Sequence, residues 1–292
     1  MGLQAFHARA EVRDAALQRL AAHADAGRLA EGALLWNGAQ GSVAGCLAET
    51  ADAARWEDRL GLPRWLAYAL DLLAAGAPAR VEELLRGVAP GSDLARRGSR
   101  LICEVLDAMP LARVPGGALD EARGVVAALH RRLLRGGEAD AAQWRAARRC
   151  AVRATDAAAP LPAGGQPQAP GAAWLRAAGG VVEAAAWDPL RSATAVAEVL
   201  RQRLLLHAME ADEDFGWTPE DDAQVRRLLG EMHAAHLAGR PQEQRTVFDF
   251  LEIEHAAVAA RLRERNRHAR AHALRGADQA RALLGRVLRP AE

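Results

Sequence analysis

The residues best able to do chemistry lie in and just after one glycine-rich segment, Leu34–Cys46. We predict that this segment is a loop leading into a helix. A thiol near a helix N-terminus can have a lowered pKa and react as a nucleophile. Cys46 is therefore a candidate nucleophile, and Glu49 and Glu57 are candidate carboxylates beside it.

The same loop offers a small-ligand site. Backbone N–H groups of a glycine-rich turn at a helix N-terminus can bind an anion, but the Lys-Ser/Thr pair of a P-loop is missing. Two simpler explanations stay open: the glycines allow close packing, and Cys46 is a small buried apolar side chain. The candidate ligand-binding residues are Trp36, Asn37, Gly38, Gly41, Ser42 and Gly45.

Six of the nine histidines lie between His207 and His272, where the sequence predicts helical hairpins. At about 1.5 Å per residue, hairpin geometry places His207 within about 10 Å of His255, and His236 more than about 15 Å from His255. If a metal were bound there, we expect His207, Glu252 and His255 to be its ligands. We expect no metal, because zinc normally takes at least three protein ligands and the sequence does not fix a third.

A basic stretch, Arg261–Arg275, is the only predicted surface that could contact nucleic acid or an acidic partner. We expect it to be an ordinary solvated helix face. No aromatic residue follows Leu251, and no DNA-binding motif precedes the stretch. Nucleic acid is therefore not an expected partner, whereas a protein partner or a second copy of the chain is.

The composition predicts an all-α protein. Hydrophobic residues make up 50% of the chain and charged residues 26%, with a net charge of +1, a globular rather than a disordered balance. Aromatic residues make up only 4%, and the apolar residues are mainly Ala and Leu, which favour helices over strands. The three cysteines form no Cys-x-x-Cys pair, so neither a disulfide framework nor an all-cysteine zinc site is expected.

The expected architecture is a multi-helix array or bundle, which could form two helical subdomains. Residues 1–157 would form an N-terminal helical domain with the glycine-rich loop, and the Pro/Gly-rich residues 158–171 a linker or long loop. Residues 172–292 would form helical hairpins with a basic last helix. No stretch approaches the roughly 18 apolar residues of a membrane helix, and no secretion signal is evident. We therefore expect a cytoplasmic protein without a membrane contact or cofactor.

Helix boundaries follow from apolar periodicity and from prolines at the first helical position. Leu101, Val105 and Met109 should share one buried stripe. The predicted helices are Glu11–Leu29, Val43–Glu49, Asp52–Leu60, Pro63–Ala75, Ala79–Val88, Asp93–Met109, Leu119–Arg135, Ala139–Ala157, Ala172–Ala186, Pro189–Ala211, Pro219–Ala238, Pro241–Arg275 and a tail helix from Asp278.

Part of the chain, about residues 3–110, resembles an uncharacterised family of bacterial proteins. The motifs that carry the resemblance are Gly41-Ser42-Val43-Ala44-Gly45-Cys46, Arg55-Trp56-Glu57 and Leu60-Gly61-Leu62-Pro63. The family has Gly-Cys-Ala-Val-Gly-Cys, a His-containing turn and a Gly-Ile-Pro helix start, and the resemblance implies a helical fold with no known activity. Ser42 replaces the first Cys, and Glu49 and Ala53 replace His residues, so any Cys/His chemistry of the family would be lost here.

No hydrolase, kinase, dinucleotide or His-Glu-x-x-His motif is present. We therefore expect a non-enzymatic helical protein that acts as an adaptor or regulator through protein contacts, for which seven tryptophans provide anchors. The alternative is an enzyme or small-molecule-binding protein with its site at Trp36–Cys46.

Overall fold

A computed structural model describes residues 3–74, 78–109, 111, 117–160, 171–239 and 244–289. These residues contain thirteen α-helices and no strand, which confirms the all-α prediction. The helices are α1 Ala10–Asp25, α2 Val43–Ala48, α3 Ala53–Leu60, α4 Arg64–Ala74, α5 Pro78–Arg86, α6 Arg97–Asp107, α7 Ala118–Leu134, α8 Ala141–Ala158, α9 Ala172–Ala185, α10 Ala195–Phe215, α11 Pro219–Met232, α12 Val247–Glu254 and α13 Ala256–Leu288.

The chain divides into two compact units. The first comprises Met1–Arg203 and Asp278–Glu292, and the second comprises Leu204–Ala277. The expected boundary at residues 158–171 lies within the first unit, where the flanking helices α8 and α9 pack against each other. Residues 161–170 of that boundary lie outside the described residues.

The core of the first unit includes α4, whose Trp65, Leu66 and Leu70 are fully buried. The short helices α2 and α3 pack against it. Helices α6 to α9 follow, each packed against the next. The predicted stripe of Leu101, Val105 and Met109 is buried along α6 and the residues after it, because its spacing keeps all three on one helix face.

The second unit contains α11, α12 and parts of α10 and α13. Its apolar cluster joins Leu228, Leu251 and Ala259, with Leu229, Val258 and Leu262 packed around them. A π-helical turn, His233–Leu237, follows α11 directly.

The helix predicted to begin at Pro189 begins instead at Ala195, so that prediction is wrong. The Asp188 carboxylate accepts the Leu190 N–H at 2.9 Å, and its carbonyl accepts the Ser192 N–H at 2.8 Å. This side-chain turn competes with helix formation and delays the helix start.

The single helix predicted over Pro241–Arg275 is also wrong. Thr246 and Asp249 form a capping box that starts α12 at Val247. His255 leaves the helical conformation at φ −134° and ψ 52°, and α13 then runs to Leu288. Pro241 itself lies outside the described residues.

Candidate functional site

Helix α2 lies directly after the glycine-rich loop, and all six of its residues are buried. A buried helix end needs partners for its free N–H and C=O groups. At the N-terminus, the Ser42 hydroxyl accepts the Gly45 N–H at 3.1 Å, and Asp71 Oδ1 accepts the Ala44 N–H at 2.7 Å. At the C-terminus, the Arg19 guanidinium donates to the Leu47 carbonyl at 2.8 Å.

Asp71 of α4 holds the glycine-rich loop in place. Its Oδ2 accepts the Leu34 N–H at 2.6 Å and the Ser42 hydroxyl at 2.8 Å. Burial raises the pKa of the Asp71 carboxyl to about 6, although the three hydrogen bonds, led by that from Ala44, act in the opposite direction. No motif in the sequence marks this carboxylate, because Asp71 is distant in sequence from the loop that it binds.

Cys46 does not have the environment of a nucleophile. Its side chain is fully buried, and the thiol lies 3.5 Å from the Gly41 carbonyl oxygen, to which it donates. Burial, with a smaller contribution from the charge of Asp71, raises the pKa of the thiol to about 11. A lowered pKa was expected from the helix N-terminus, but desolvation outweighs that effect here.

The two candidate carboxylates have other partners. Glu49 caps the C-terminus of α2 in a left-handed conformation and lies 3.5 Å from the His23 imidazole. The Glu57 carboxylate accepts a hydrogen bond from the Arg64 guanidinium at 3.2 Å. Neither carboxylate is a hydrogen-bond partner of Cys46, whose thiol contacts a backbone carbonyl.

The candidate ligand residues of the loop fall into two groups. Trp36 packs edge-on against the His23 ring, 5.0 Å between centroids. Asn37 closes an exposed turn around Gly38 by accepting the Ala39 and Gln40 N–H groups.

Gly41, Ser42 and Gly45 are buried instead. A Cβ atom on Gly41 or on Gly45 would overlap the Leu35 carbonyl oxygen, so both glycines permit a close backbone approach. The packing explanation left open by the sequence therefore accounts for these two positions.

The structure does not bring His207, Glu252 and His255 together. The His207 Nε2 lies 3.1 Å from the backbone carbonyl oxygen of His272, and the two rings are 3.9 Å apart. Because His272 lies roughly 24 Å along α13 from Ala256, the residue after His255, the predicted proximity of His207 and His255 is wrong. Glu252 binds Arg263 instead.

His236 also departs from the predicted geometry. It stacks on Phe250 of α12 at 4.1 Å and contacts the Glu254 carboxylate, beside His255. The predicted distances rest on one long helix after Pro241, whereas the chain forms two helices that meet at His255. Within the described ranges, no three metal-ligating side chains converge.

The basic stretch Arg261–Arg275 is partly neutralised by nearby acids. Arg261 donates to Asp221 at 2.7 Å, and Arg265 donates to both oxygens of Asp212, the shorter contact being 2.6 Å. These pairings fit the expected solvated helix face better than a free anion-binding surface.

A different basic surface, not predicted from the sequence, lies on α8. We call it the arginine groove: a cleft of about 900 Å³ between α8, the end of α9 and the turn segment that follows. Its arginines are Arg145, Arg148, Arg149, Arg153 and Arg191. The spacing of the first four places them on one face of α8.

The floor and one wall of the arginine groove are apolar. Trp144 is 5% exposed and Trp187 is 44% exposed. The Arg148 guanidinium lies 4.3 Å from the centre of the Trp187 ring, a cation–π contact. The indole N–H of Trp144 is buried and has no hydrogen-bond partner among the described residues.

The charges of the arginine groove are poorly balanced. Two carboxylates, Glu183 and Asp188, also line it. Asp188 is 3.7 Å from Arg191, whereas in the described part of the chain no carboxylate pairs with the four α8 arginines. Elsewhere, arginines of the same chain are closely paired, as Arg131 is with Asp107 at 2.6 Å.

The sequence contained one signal for this site, the Arg-x-x-Arg-Arg-x-x-x-Arg pattern from Arg145 to Arg153. The opposite wall could not be predicted, because the sequence predicts a helix from Pro189, where the structure has the turn at Asp188.

No helix in the described part of the chain combines the length and apolar character that crossing a bilayer requires. Comparisons with protein-family profiles, with curated proteins and with solved structures find no match to this chain. The resemblance of residues 3–110 to a bacterial family therefore stays a prediction.

Proposed function

We propose that this protein is an adaptor or regulatory protein that binds an acidic segment of a partner protein in the arginine groove. The observation that carries the proposal is the row of four arginines on one face of α8 without carboxylate partners in the described residues. Unpaired guanidinium groups at a cleft attract carboxylates and can hold them through two parallel hydrogen bonds.

The apolar floor favours a peptide over a simple inorganic anion. Trp187, which is 44% exposed, offers contact area to apolar side chains between the acidic residues of a partner, and the buried Trp144 supports it from below. Tryptophan and arginine are the residue types that most often dominate the energy of protein interfaces.

The contact of Arg148 with Trp187 argues against nucleic acid as the occupant. Single-stranded nucleic acids are held by bases stacked on open aromatic faces. Here a guanidinium already covers one face of the only strongly exposed tryptophan of the groove. A carboxylate can bind that guanidinium without displacing it from the ring.

The test is fluorescence anisotropy with a labelled peptide of Glu and Leu, using the full chain. We expect the peptide to bind, and the Arg145→Ala/Arg149→Ala double variant to weaken binding by about tenfold or more. The matched control, Arg9→Ala/Arg86→Ala, removes the same charge from exposed positions outside the arginine groove and should leave binding unchanged.

Three outcomes would overturn the proposal. The peptide could fail to bind, or both double variants could weaken it equally, which would indicate non-specific charge attraction. In the third, a single-stranded oligonucleotide would bind more tightly than the peptide and lose affinity in the groove variant, which would assign the surface to nucleic acid.

A further inference from the structure

A second cavity lies in the first unit and shares no lining residue with the arginine groove. Its volume is about 760 Å³, within the range of small-molecule sites. Separate parts of the chain form its walls: residues 29–33, the start of α2, α4 with Tyr68 and Asp71, Pro78 of α5, and the start of α10 with Thr194 and Glu198. We call it the Asp71 cavity.

Carboxylates dominate the charged groups of the Asp71 cavity. Glu31, Asp71 and Glu198 line it, against one guanidinium, Arg201. Arg201 lies 3.3 Å from Glu198 and so neutralises one of the three acids. The negative electrostatic potential of the other two carboxylates favours a positively charged occupant.

The other walls favour an occupant with an apolar body. Leu29, Val43, Leu72 and Ala197 contribute apolar surface. Tyr68, the only tyrosine of the chain, is partly buried at the cavity wall and adds an aromatic ring that can contact a cation. Its hydroxyl has no hydrogen-bond partner in the described residues, so a bound molecule can supply one.

We infer that the Asp71 cavity is a binding site for a small organic amine, held as its ammonium ion between the carboxylates and Tyr68. This inference is independent of the proposed binding of an acidic peptide. It also relocates the ligand site expected at Trp36–Cys46, since the cavity uses residues 29–33 and retains only Ser42 of the six candidates.

The experiment compares three probes of similar shape by isothermal titration calorimetry on the full chain at neutral pH: phenethylamine, phenethyl alcohol and hydrocinnamate. We expect the amine to bind at least about tenfold more tightly than the alcohol, and the carboxylate more weakly still, because only the amine carries the complementary charge. Equal affinity for the amine and the alcohol, or no binding of any probe, would overturn the inference.

The variants locate the bound amine. The Glu31→Gln/Glu198→Gln double variant should weaken phenethylamine about tenfold, and Thr194→Trp should block the cavity from its exposed rim. Glu82→Gln, which removes an ion-paired carboxylate outside the cavity, is the control and should leave binding unchanged. Asp71 is kept intact because it holds the loop. Amine binding that survives Thr194→Trp would place the amine elsewhere and overturn the assignment.

Discussion

The His130 Nε2–H of α7 donates to the Ala185 carbonyl of α9 at 2.7 Å, and its Nδ1 lies 3.3 Å from the Ser99 hydroxyl of α6. One imidazole therefore links three helices. The ring is fully buried and packs against Trp144, 5.0 Å between centroids. The floor of the arginine groove thus rests on a neutral histidine.

This histidine should make the fold sensitive to acid. Burial lowers the pKa of His130 to about 4, from 6.5, although the hydrogen bond to Ala185 acts in the opposite direction. Because the unfolded chain binds this proton more readily, the free energy of unfolding should fall by about 2–3 kcal/mol as pH decreases from about 6.5 to 4. Urea titrations of the native protein and of His130→Gln across this range measure the difference, which should shrink toward low pH.

The exposed residue His233 provides the control for His130. His233→Gln should leave the pH dependence of unfolding unchanged. A native protein and a His130→Gln variant with parallel stability curves would show that the buried imidazole titrates normally.

Asp71 should contribute a pH dependence of opposite sign. Its folded pKa, raised by burial to about 6 from 3.8, means that the folded protein binds the proton more tightly than the unfolded chain. Protonation of Asp71 therefore stabilises the fold fully below about pH 4, and this stabilisation is lost as pH rises through 6. We expect the stability difference between the native protein and Asp71→Asn to decrease over that range in denaturation experiments.

Asp52 is the matched comparison for Asp71. It caps α3, and the backbone N–H groups of Arg55 and Ala54 lower its pKa. The advantage of the native protein over Asp52→Asn should therefore grow as pH rises, the reverse of Asp71. Two curves with the same sign would contradict the assigned environments.

The cysteines should differ sharply in reactivity. Cys46 and Cys103 are buried, and burial raises the pKa of each thiol to about 11, whereas Cys150 is exposed on α8. A colorimetric disulfide reagent should label one thiol rapidly in the native protein and all three after denaturation. Cys150→Ser should abolish the rapid phase, and rapid labelling that persists in this variant would restore Cys46 as a candidate nucleophile.

Gly45 and Gly124 should respond oppositely to the same substitution. A Cβ at Gly45 would overlap the Leu35 carbonyl, so Gly45→Ala should destabilise the fold by about 2–3 kcal/mol. Gly124 lies inside α7 with open space around it, so Gly124→Ala should stabilise it by about 0.5–1 kcal/mol. Thermal unfolding of the two variants checks both signs, and a neutral Gly45→Ala would refute the close-packing role.

The helical class was predictable because composition and apolar spacing act locally, as the buried stripe of Leu101 and Val105 illustrates. The predicted helix boundaries were wrong where side chains form hydrogen bonds with the backbone, at the Asp188 turn and at the Thr246 capping box. Those two errors had consequences for function. Because of the first error, one wall of the arginine groove was not predicted. Because of the second, the position of His255 was predicted wrongly.

The Asp71 contacts could not be predicted for a different reason. Asp71 reads in sequence as an ordinary polar position of an apolar helix, and its partners Leu34 and Ala44 are distant along the chain. Chain topology, rather than local propensity, brings them together. The candidate residues from Trp36 to Ser42 lie on an irregular segment, as predicted, whereas Gly45 and Cys46 lie in α2. Burial decides the environment of Cys46, and burial depends on the whole fold.

The polar ends of α2 connect this short helix to residues far from it in sequence, Asp71 at one end and Arg19 at the other. An isolated helix of this length has no stability in water, so α2 exists only while those residues surround it. Its backbone amide protons can therefore exchange with solvent deuterium only when the surrounding helices α1, α3 and α4 open around it. The exchange rate of the Ala44 and Gly45 amides thus reports the free energy of that opening, without any added label.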